Sequence, residues 1–245
     1  QIQISQMKKI FIALLSMFVI AQTGILAQTV DEIVQKHIEA IGGVENLKGL
    51  KSMIMKGTVE IQPGMSAPVT MQVINNKAIR MDINVMGTNI TQAVNDKTGW
   101  AIVPFTGSSE PQPLSEEEVQ ELKKQTELSR GILSWKDKGI KIESEGTEQL
   151  EGKDCFKLKF TDKDGKSSYK YFDKGTYYMV KEIKYAEVEG QQMEIPVTYS
   201  DFRKTDSGLV FAYTMVNEMN GGPMKWESIE VNPKIDESVF KIPTK

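Results

Sequence analysis

The sequence predicts a mainly β protein, with one large antiparallel sheet that curls around a helix, a ligand or both. Two observations support this fold class. From residue 52 onward, apolar and polar residues alternate with a period of two in one short segment after another, as in strands with one buried and one solvated face. Helical periodicity occurs only at residues 30–50 and 115–129, and so many consecutive strands with so few helices indicate a curled sheet.

The chain opens with the pattern of a cleavable export signal. Two lysines after Met7 precede an apolar stretch at residues 10–20, and Ala27 suits the position before a signal-peptidase cut. Because this stretch is shorter than the roughly 20 residues that span a bilayer, we expect cleavage and no transmembrane anchor in the mature form. We therefore divide the chain into residues 1–27, an upstream extension and signal peptide, and residues 28–245, a single domain.

The composition of residues 28–245 excludes some classes of protein. These residues include 28 basic and 33 acidic side chains, a formal net charge of −5. Such an acidic chain lacks the basic face that a nucleic acid requires, so we expect no nucleic-acid partner. Cys155 is the only cysteine, so the domain has no intramolecular disulfide and no cysteine near the cut that a lipid could modify. We expect a soluble, exported monomer.

The first element after the signal is a helix. Thr29 and Glu32 have the spacing of a capping box, in which each side chain hydrogen-bonds the backbone N–H of the other residue. Gly42-Gly43 ends this helix, and a second short helical turn over residues 44–50 leads into the sheet. The apolar stripe of the first helix comprises Ile33, Val34, Ile38 and Ile41.

Strands occupy most of the remaining chain. The clearest alternation runs over residues 79–85, where apolar residues hold the odd positions and Arg80, Asp82 and Asn84 hold the even ones. The strands predicted in the first half of the chain cover residues 52–61, 69–74, 79–85, 89–94 and 100–105. Those predicted in the second half cover residues 140–146, 155–161, 168–173, 177–187, 193–202, 209–216 and 224–231.

A polar loop at residues 107–113 and a helix at residues 115–129 separate the two sets of strands. Ser115 and Glu118 repeat the capping-box spacing. The apolar stripe of this helix is thin, since only Val119 and Leu122 are firmly apolar. A helix with so few buried contacts opens at low cost, which makes it a candidate lid. A surface helix that covers one end of a barrel fits the pattern equally well.

No catalytic, metal or cofactor site is predicted. His37 is the only histidine, so multi-histidine metal sites and a serine-histidine relay lack their parts, and we expect His37 to pack the first helix. Nothing in the sequence places a base beside Cys155. Residues 162–165, Asp-Lys-Asp-Gly, begin like a calcium loop but lack the later ligands, so a hairpin turn is predicted. A hydrolase that uses scattered carboxylates is the least favoured alternative.

Methionine is unusually frequent, with eleven residues after residue 27. Several of these methionines lie on the apolar faces of the predicted strands. Unbranched, polarizable side chains adapt to ligands of irregular shape, which suits a pocket for flexible acyl chains. Ordinary filling of a hydrophobic core explains the composition as well.

Four segments, in order and spacing over nearly all of residues 28–245, carry a resemblance to one protein family. They are residues 41–58, residues 95–105 (N-D-K-T-G-W-A-I-V-P-F), residues 165–185 and residues 235–243 (I-D-E-S-V-F-K-I-P). These segments resemble the periplasmic LolA-like outer-membrane lipoprotein-sorting proteins. Residues 95–105 resemble a strand pair of this family, residues 165–185 its later hairpin and residues 235–243 its closing D-x-x-x-F-x-x-P motif. Residues 41–58 are similar to the opening of its Bacteroidetes-type members.

The resemblance implies an incomplete, strongly curved β-barrel whose apolar concave face is covered by helices. It implies a non-enzymatic periplasmic carrier that binds a lipid or an acylated lipoprotein for transfer towards the outer membrane, with inner- and outer-membrane proteins as partners and no cofactor. A sensor or regulatory domain on the same scaffold, with a stable protein partner, is the alternative. Alternation then selects the residues that we expect to line the cavity: Met53, Met55, Val59, Met71, Val73, Met81, Ile83, Val85, Trp100 and Ile102.

One position departs from the family pattern. The resemblance implies an arginine followed by proline at the end of the second or third strand, which helps to hold the lid closed. This chain has Asn75-Asn76 at that place, and the nearest arginine is Arg80. A divergent carrier for a different lipid or glycolipid is therefore expected.

Overall fold

The computed structural model describes residues 28–243, except residues 97, 107, 130, 189–190, 218 and 220–221. The predicted export signal lies outside the described residues. Within them, thirteen strands form one antiparallel sheet, joined by three α-helices and two short 3-10 helices. Among these described residues, no helix has the length and hydrophobicity that a membrane span requires.

The helices are α1 (Val30–Ala40), α2 (Val44–Lys48) and α3 (Glu116–Lys124), with 3-10 helices at Pro104–Thr106 and Glu237–Phe240. The strands are β1 (Ser52–Gln62), β2 (Met65–Ile74), β3 (Ala78–Val85), β4 (Thr88–Val94), β5 (Gly99–Val103), β6 (Ser108–Pro113), β7 (Lys141–Leu150), β8 (Lys153–Thr161), β9 (Ser167–Asp173), β10 (Met179–Val188), β11 (Gln191–Lys204), β12 (Val210–Asn217) and β13 (Met224–Val231).

The sheet is a meander that is joined in the middle by its first and last strands. Its order is β6-β5-β4-β3-β2-β1-β13-β12-β11-β10-β9-β8-β7, so β6 and β7 are its two edges and the barrel is not closed. All three helices lie on one face, which we call the inner face. The sheet curves around them as a half-barrel, as predicted. One hydrophobic cluster on this face contains residues from β2 and from the distant edge strand β7.

Helix α1 begins and packs as the sequence predicts. Thr29 and Glu32 form the complete capping box, and the stripe of Ile33, Val34 and Ile38 is buried in the inner cluster. Gly42 follows with φ +123°, and a Cβ there would lie 2.9 Å from the carbonyl oxygen of Gly208. Only glycine tolerates both the backbone angle and this close approach to the β11–β12 turn.

Helix α3 also begins with a complete capping box, between Ser115 and Glu118. It ends at Lys124, earlier than predicted, and the Thr126 hydroxyl donates to the Lys123 carbonyl in the turn that follows. Residues 125–129 and 131–140, which we call the crossing segment, then lead across the inner side to β7. Apolar residues of the crossing segment, among them Ile132, are buried in the inner cluster.

The predicted polar loop at residues 107–113 is wrong. Its larger part is β6, which pairs with β5 at one edge of the sheet. Pro111 and Pro113 concealed the strand, because proline cannot donate a ladder hydrogen bond and argues against a central strand. At an edge, one side of the strand needs no partner, so both prolines are tolerated there.

Candidate functional site

Strand register places a row of methionines on the inner face. Met55 of β1 lies directly opposite Met71 of β2, and Met71 lies opposite Met81 of β3. Directly opposed residues of antiparallel strands have Cβ atoms about 5 Å apart. Met71 is therefore a direct neighbour of both Met55 and Met81. Met55, Met71 and Met81 therefore share one face of the sheet. Their role in lining a ligand cavity stays a prediction.

A second row runs across the middle of the sheet. Met215 of β12 lies opposite Met224 of β13, and Met224 lies opposite Val59 of β1. We call Met55, Met71, Met81, Met215 and Met224 together the methionine face. All five side chains are half-buried, unlike the fully buried residues beneath the helices. Met215 and Met224 were not among the predicted residues, although the alternation of Phe211, Tyr213 and Met215 along β12 carries the same period-two signal.

Half-buried aliphatic residues extend this face towards the turn between β3 and β4. Ile83 lies opposite Ile90, and Val85 lies opposite Thr88. Val59, Ile83 and Val85 are thus on the predicted face and are accessible in part. Ile90 is a member that the sequence prediction omitted.

Two predicted lining residues belong to the packed core instead. Met53 is buried with Leu50 and Ile33 in the main inner cluster. Val73 is buried in a second cluster with Ile79 and Val94, directly beneath Val119 of α3. Leu122 packs against the same cluster, so the two predicted anchors of α3 are in contact with the sheet.

Trp100 and Ile102 lie on the opposite, outer face of the sheet. Register pairs Gly99 with the inner residue Val94, so Trp100 and Ile102 point the other way. The prediction assumed that the apolar residues of β5 face inward. In this strand the inner position is held by Gly99, which has no apolar side chain to indicate it. A Cβ on Gly99 would lie 2.9 Å from side-chain atoms of Leu114 and Val119, so the close packing of α3 requires glycine on the inner side.

Trp100 instead helps to bind the C-terminal 3-10 helix on the outer face. Its indole Nε1 donates to the carbonyl oxygen of Phe240 at 3.0 Å, and the Phe240 ring is only 1% exposed. Arg80 lies over the Trp100 ring and donates from Nη1 to the Val239 carbonyl at 2.7 Å. We call Arg80, Asp82, Trp100, Val239 and Phe240 the outer latch.

The guanidinium of Arg80 is held by a bidentate pair. Its Nε and Nη2 donate to the two Asp82 carboxylate oxygens, each at 2.8 Å, and the Thr91 hydroxyl donates to the same carboxylate at 2.7 Å. Because Nε and Nη2 of the planar guanidinium are both hydrogen-bonded to one carboxylate, the Arg80 side chain has little freedom to rotate. Arg80 therefore serves the outer latch, and its side chain is on the face away from α3.

Asn75 and Asn76 make contacts to the crossing segment at the place of the expected arginine. The Asn75 side-chain amide donates to the Leu50 carbonyl at 2.9 Å, and its oxygen accepts from the Leu128 N–H at 3.0 Å. The Asn76 N–H donates to the Thr126 carbonyl at 3.0 Å. The sequence therefore supplies hydrogen bonds to the segment that follows α3 without an arginine.

A buried polar cluster borders the methionine face. Glu182 of β10 forms ion pairs with Lys170 at 3.3 Å and with Lys184 at 3.6 Å, and it accepts from the Tyr199 hydroxyl at 3.3 Å. Tyr199 lies directly opposite Met215. Removing these charges from water is costly unless they are paired and hydrogen-bonded, as they are here. The inner face is therefore apolar over β1–β3 and β13, and partly polar over β4 and β9–β11.

The residues that sequence reasoning considered for chemistry are structural. His37 is buried, with Nδ1 2.8 Å from the Tyr177 carbonyl oxygen and its ring edge-on to Phe172. Burial raises the pKa of the Cys155 thiol, which keeps it protonated and unreactive at neutral pH. Within the described ranges no three His, Cys, Asp or Glu side chains are grouped to hold a metal.

A cavity of about 320 Å³ lies elsewhere, between the β1–β13 pair and the β11–β12 turn. Its lining mixes polar and charged side chains with few apolar ones, including Lys56, Asp206 and Glu230. It contains no member of the methionine face. This cavity is therefore separate from the candidate hydrophobic site.

Together these features define a class: an open antiparallel half-barrel with helices on its concave face and a methionine-rich surface beside them. The chain has the LolA-like fold. A DUF1329 family protein from Desulfovibrio piger superposes with a TM-score of 0.58 and 14% identity, over 88% of this chain and 98% of that one. A LolA superfamily protein from Nitrosomonas europaea gives a TM-score of 0.51 and 14% identity over the same shares.

At this identity the likeness establishes the fold and nothing more about activity. No protein-family model matches the sequence, and neither does any curated protein. Function must therefore be argued from the residues of the site.

Proposed function

We propose that this protein is a non-enzymatic carrier that binds an acylated or other hydrophobic ligand on its methionine face. The observation that carries the proposal is the half-buried state of five methionines on the concave side of an open barrel. They lie in two rows, and one row that contains the buried residues Trp226 and Val69 lies between these two. Core methionines would be covered completely, as Met53 is. Half-buried apolar side chains on a concave surface leave room for an apolar guest.

The energetics suit a flexible acyl chain. Each buried methylene contributes about 0.8 kcal/mol, so a long chain can be held without any polar anchor. Methionine side chains have three rotatable bonds and adjust to chains of different length and curvature. The polar cluster around Glu182 borders this surface and would face the less apolar part of a bound amphiphile.

We propose further that α3 and the beginning of the crossing segment, residues 125–129, act as the lid. Val119 and Leu122 are the apolar contacts of α3 with the sheet, and Lys123 Nζ donates to the Asp96 carbonyl. Asn75 and Asn76 hold the beginning of the crossing segment. A short helix with two apolar anchors separates from a sheet at much lower cost than α1, whose stripe is buried in the main cluster.

The export pattern of residues 1–27 supports a periplasmic location for such a carrier, between two membranes that exchange lipids and lipoproteins. Transfer of an acylated ligand towards the outer membrane is the role that this location and the proposed site suit best. Membrane proteins on either side would then load and unload the carrier.

The first test is native mass spectrometry of the protein purified without detergent, followed by solvent extraction and lipid analysis. We expect one acylated or otherwise hydrophobic molecule per chain. A protein that is empty, and that also fails to bind a fluorescent fatty acid, would contradict the carrier proposal. A stable protein partner in pull-downs would then favour the sensor alternative.

A pair of variants tests the site itself. Met81→Glu places a charge on the methionine face, whereas Gln72→Glu places the same charge on the outer face of the neighbouring strand, opposite Arg80. We expect Met81→Glu to abolish ligand retention and Gln72→Glu to leave it unchanged, with both proteins folded by circular dichroism. If Met81→Glu lost its fold together with its ligand, Met81 would be an ordinary core residue.

A further inference from the structure

The polar cluster on the inner face carries more positive than negative charge. Lys170, Glu182 and Lys184 contribute two ammonium groups and one carboxylate, and the fourth member, Tyr199, adds only a hydroxyl. All three charged residues point to the same side of the sheet as the methionine face, because Lys170 lies opposite Glu182 and Lys184 follows two residues later on β10. The cluster therefore presents a net charge of +1 to the concave side.

The members of the cluster differ in their exposure to solvent. The Glu182 side chain is 6% exposed and that of Lys170 is 14% exposed, whereas that of Lys184 is 60% exposed. Lys170 Nζ also lies 4.8 Å from the centre of the Phe160 ring, so the buried pair is held in place from two sides. An ammonium group has three N–H donors, and one ion pair does not exhaust them. Lys184 is thus the accessible cation of the cluster.

The neighbouring strands place apolar residues against the cluster. Each charged member lies opposite one of them, and these residues are Leu158, Val197 and Ile195. Two carboxylates on the elements above the inner face, Asp31 and Glu127, are paired with Lys136 and Lys138 of the crossing segment. Neither the neighbouring strands nor these two carboxylates neutralise the second lysine of the cluster.

Tyr199 connects the cluster to the methionine face. It lies directly opposite Met215, and its hydroxyl donates to the Glu182 carboxylate at 3.3 Å. Strand β10, which carries Glu182 and Lys184, is two strands away from β12, or about 10 Å at the usual spacing of neighbouring strands. An acyl chain that lies across the methionine face can therefore place its head group against the cluster.

The charge of that head group decides how well it is accepted. A ligand that covers the cluster removes water from Lys184, and an ammonium group that loses water without gaining an acceptor is costly. A carboxylate or a phosphate accepts charge-assisted hydrogen bonds from Lys184 and neutralises the surplus charge. A cationic head group meets two lysines and is repelled.

We propose that the polar cluster selects amphiphiles that carry an anionic head group, a carboxylate or a phosphate, on an acyl chain. Lys184 binds the head group, and the buried pair of Lys170 and Glu182 positions Lys184 beside the methionine face. This inference rests on the proposed carrier function and narrows its ligand class from hydrophobic molecules in general to acidic amphiphiles. Neutral acyl compounds are then the weaker ligands.

The test compares head groups on one constant tail. Isothermal titration calorimetry of the delipidated protein with dodecanoate, dodecyl phosphate and dodecanol, each below its micellar concentration, measures the three Kd values. We expect one or both anions to bind about tenfold more tightly than dodecanol at low salt, with a smaller advantage at high salt. A difference between the two anions distinguishes a fatty acid from a phosphate-bearing lipid as the source of the head group.

The same titrations separate this inference from the carrier proposal. Equal Kd values for all three compounds would overturn the anionic selectivity and leave the carrier proposal standing. Failure of all three compounds to bind would contradict both. In the extract of the native protein, a stoichiometric neutral lipid would support the carrier and overturn the selectivity, whereas we expect an acidic lipid.

Two lysines of β10 provide a matched pair of variants. Lys184→Gln removes the accessible ammonium from the inner face, and Lys181→Gln removes the same charge from the outer face, where Lys181 lies over the Tyr171 ring. We expect Lys184→Gln to weaken dodecanoate about tenfold and to leave dodecanol unchanged. Lys181→Gln should change neither Kd. An anionic preference that survives in Lys184→Gln, or that falls equally in Lys181→Gln, would overturn the proposal.

Charge reversal at the same position gives the sharpest outcome. Lys184→Glu leaves Lys170 with two carboxylates, so the cluster then has a net charge of −1. Because the Lys184 side chain is largely exposed, we expect the variant to fold, which circular dichroism checks. Dodecylamine should replace dodecanoate as the preferred ligand of this variant. An unchanged order of affinities would show that the head group binds elsewhere and would contradict the proposal.

Discussion

The two faces of β3 differ in polarity: the outer face carries charged, hydrogen-bonded side chains and the inner face carries apolar ones. On the outer face, Arg80 and Asp82 form a bidentate pair that is fixed in turn by Thr91, Trp100 and the C-terminal 3-10 helix. On the inner face, Met81 and Ile83 are half-buried next to other flexible or aliphatic side chains. At β3, therefore, the fixed polar contacts lie on the outer face, and the inner side chains are those that the proposed ligand would contact.

The outer latch should contribute the largest single effect on stability. Phe240→Ala removes a ring that is 1% exposed and should cost about 3–5 kcal/mol of the free energy of unfolding. Ile242→Ala, two residues away and half-exposed, should change stability by no more than about 0.5 kcal/mol. Urea unfolding of both variants measures this difference, and similar losses would mean that the latch does not stiffen the sheet.

The second expected effect concerns the contact between Asn75 and the crossing segment. Asn75→Ala leaves the Leu128 N–H and the Leu50 carbonyl without their partner and should cost about 1–3 kcal/mol. Amide exchange should rise in residues 125–129 more than in β1 or β2. Uniform exchange across the sheet would show that Asn75 supports the whole core and not the lid.

The methionine face should tolerate substitution far better than the outer latch. Replacing Met55, Met71 and Met81 together by leucine conserves volume and should cost less than about 1.5 kcal/mol per site. Because branched leucine adapts less readily, we expect the range of bound acyl-chain lengths to narrow. A large loss of stability with an unchanged ligand range would reverse the proposed division between the two faces.

The smallest effect is a pH dependence at the start of α3. Hydrogen bonds from the Ser115 hydroxyl and then its backbone N–H hold the pKa of Glu118 below its ordinary value of 4.5. A lowered pKa in the folded state stabilises α3 above pH 4.5, and this contribution is lost as the pH falls through the folded-state value. Carboxyl NMR titration should show Glu118 titrating below its ordinary value, and Ser115→Ala should remove this shift.

The sequence predicted the elements of this fold better than the faces of its strands. Strict alternation over residues 79–85 assigned Met81 and Ile83 correctly, because every odd position is apolar. The same reasoning failed at β5, where Gly99 takes the inner position and Trp100 the outer one. Trp100 is buried because it contacts Phe240, which is 140 residues away in the sequence. The alternation of apolar and polar residues within one strand cannot predict such a distant contact.

For the candidate site, too, the sequence predicted the face of a residue but not whether a helix covers that residue. Met55, Met71 and Met81 were predicted from alternation alone, whereas Met53 and Val73 proved to be beneath the helices. Whether an apolar strand residue is covered by a helix or left accessible depends on where that helix docks. The apolar periodicity of α3 predicted that Val119 and Leu122 contact the sheet. It could not predict which strand residues they cover.

An open barrel has two free strand edges, and each could recruit another chain into a fibre. β6 carries Pro111 and Pro113, which cannot donate to an added strand. β7 carries Lys141, Glu143 and Glu148 and breaks its ladder between Ser144 and Thr147. The unclosed sheet is thus protected from polymerising along its own hydrogen-bonding direction.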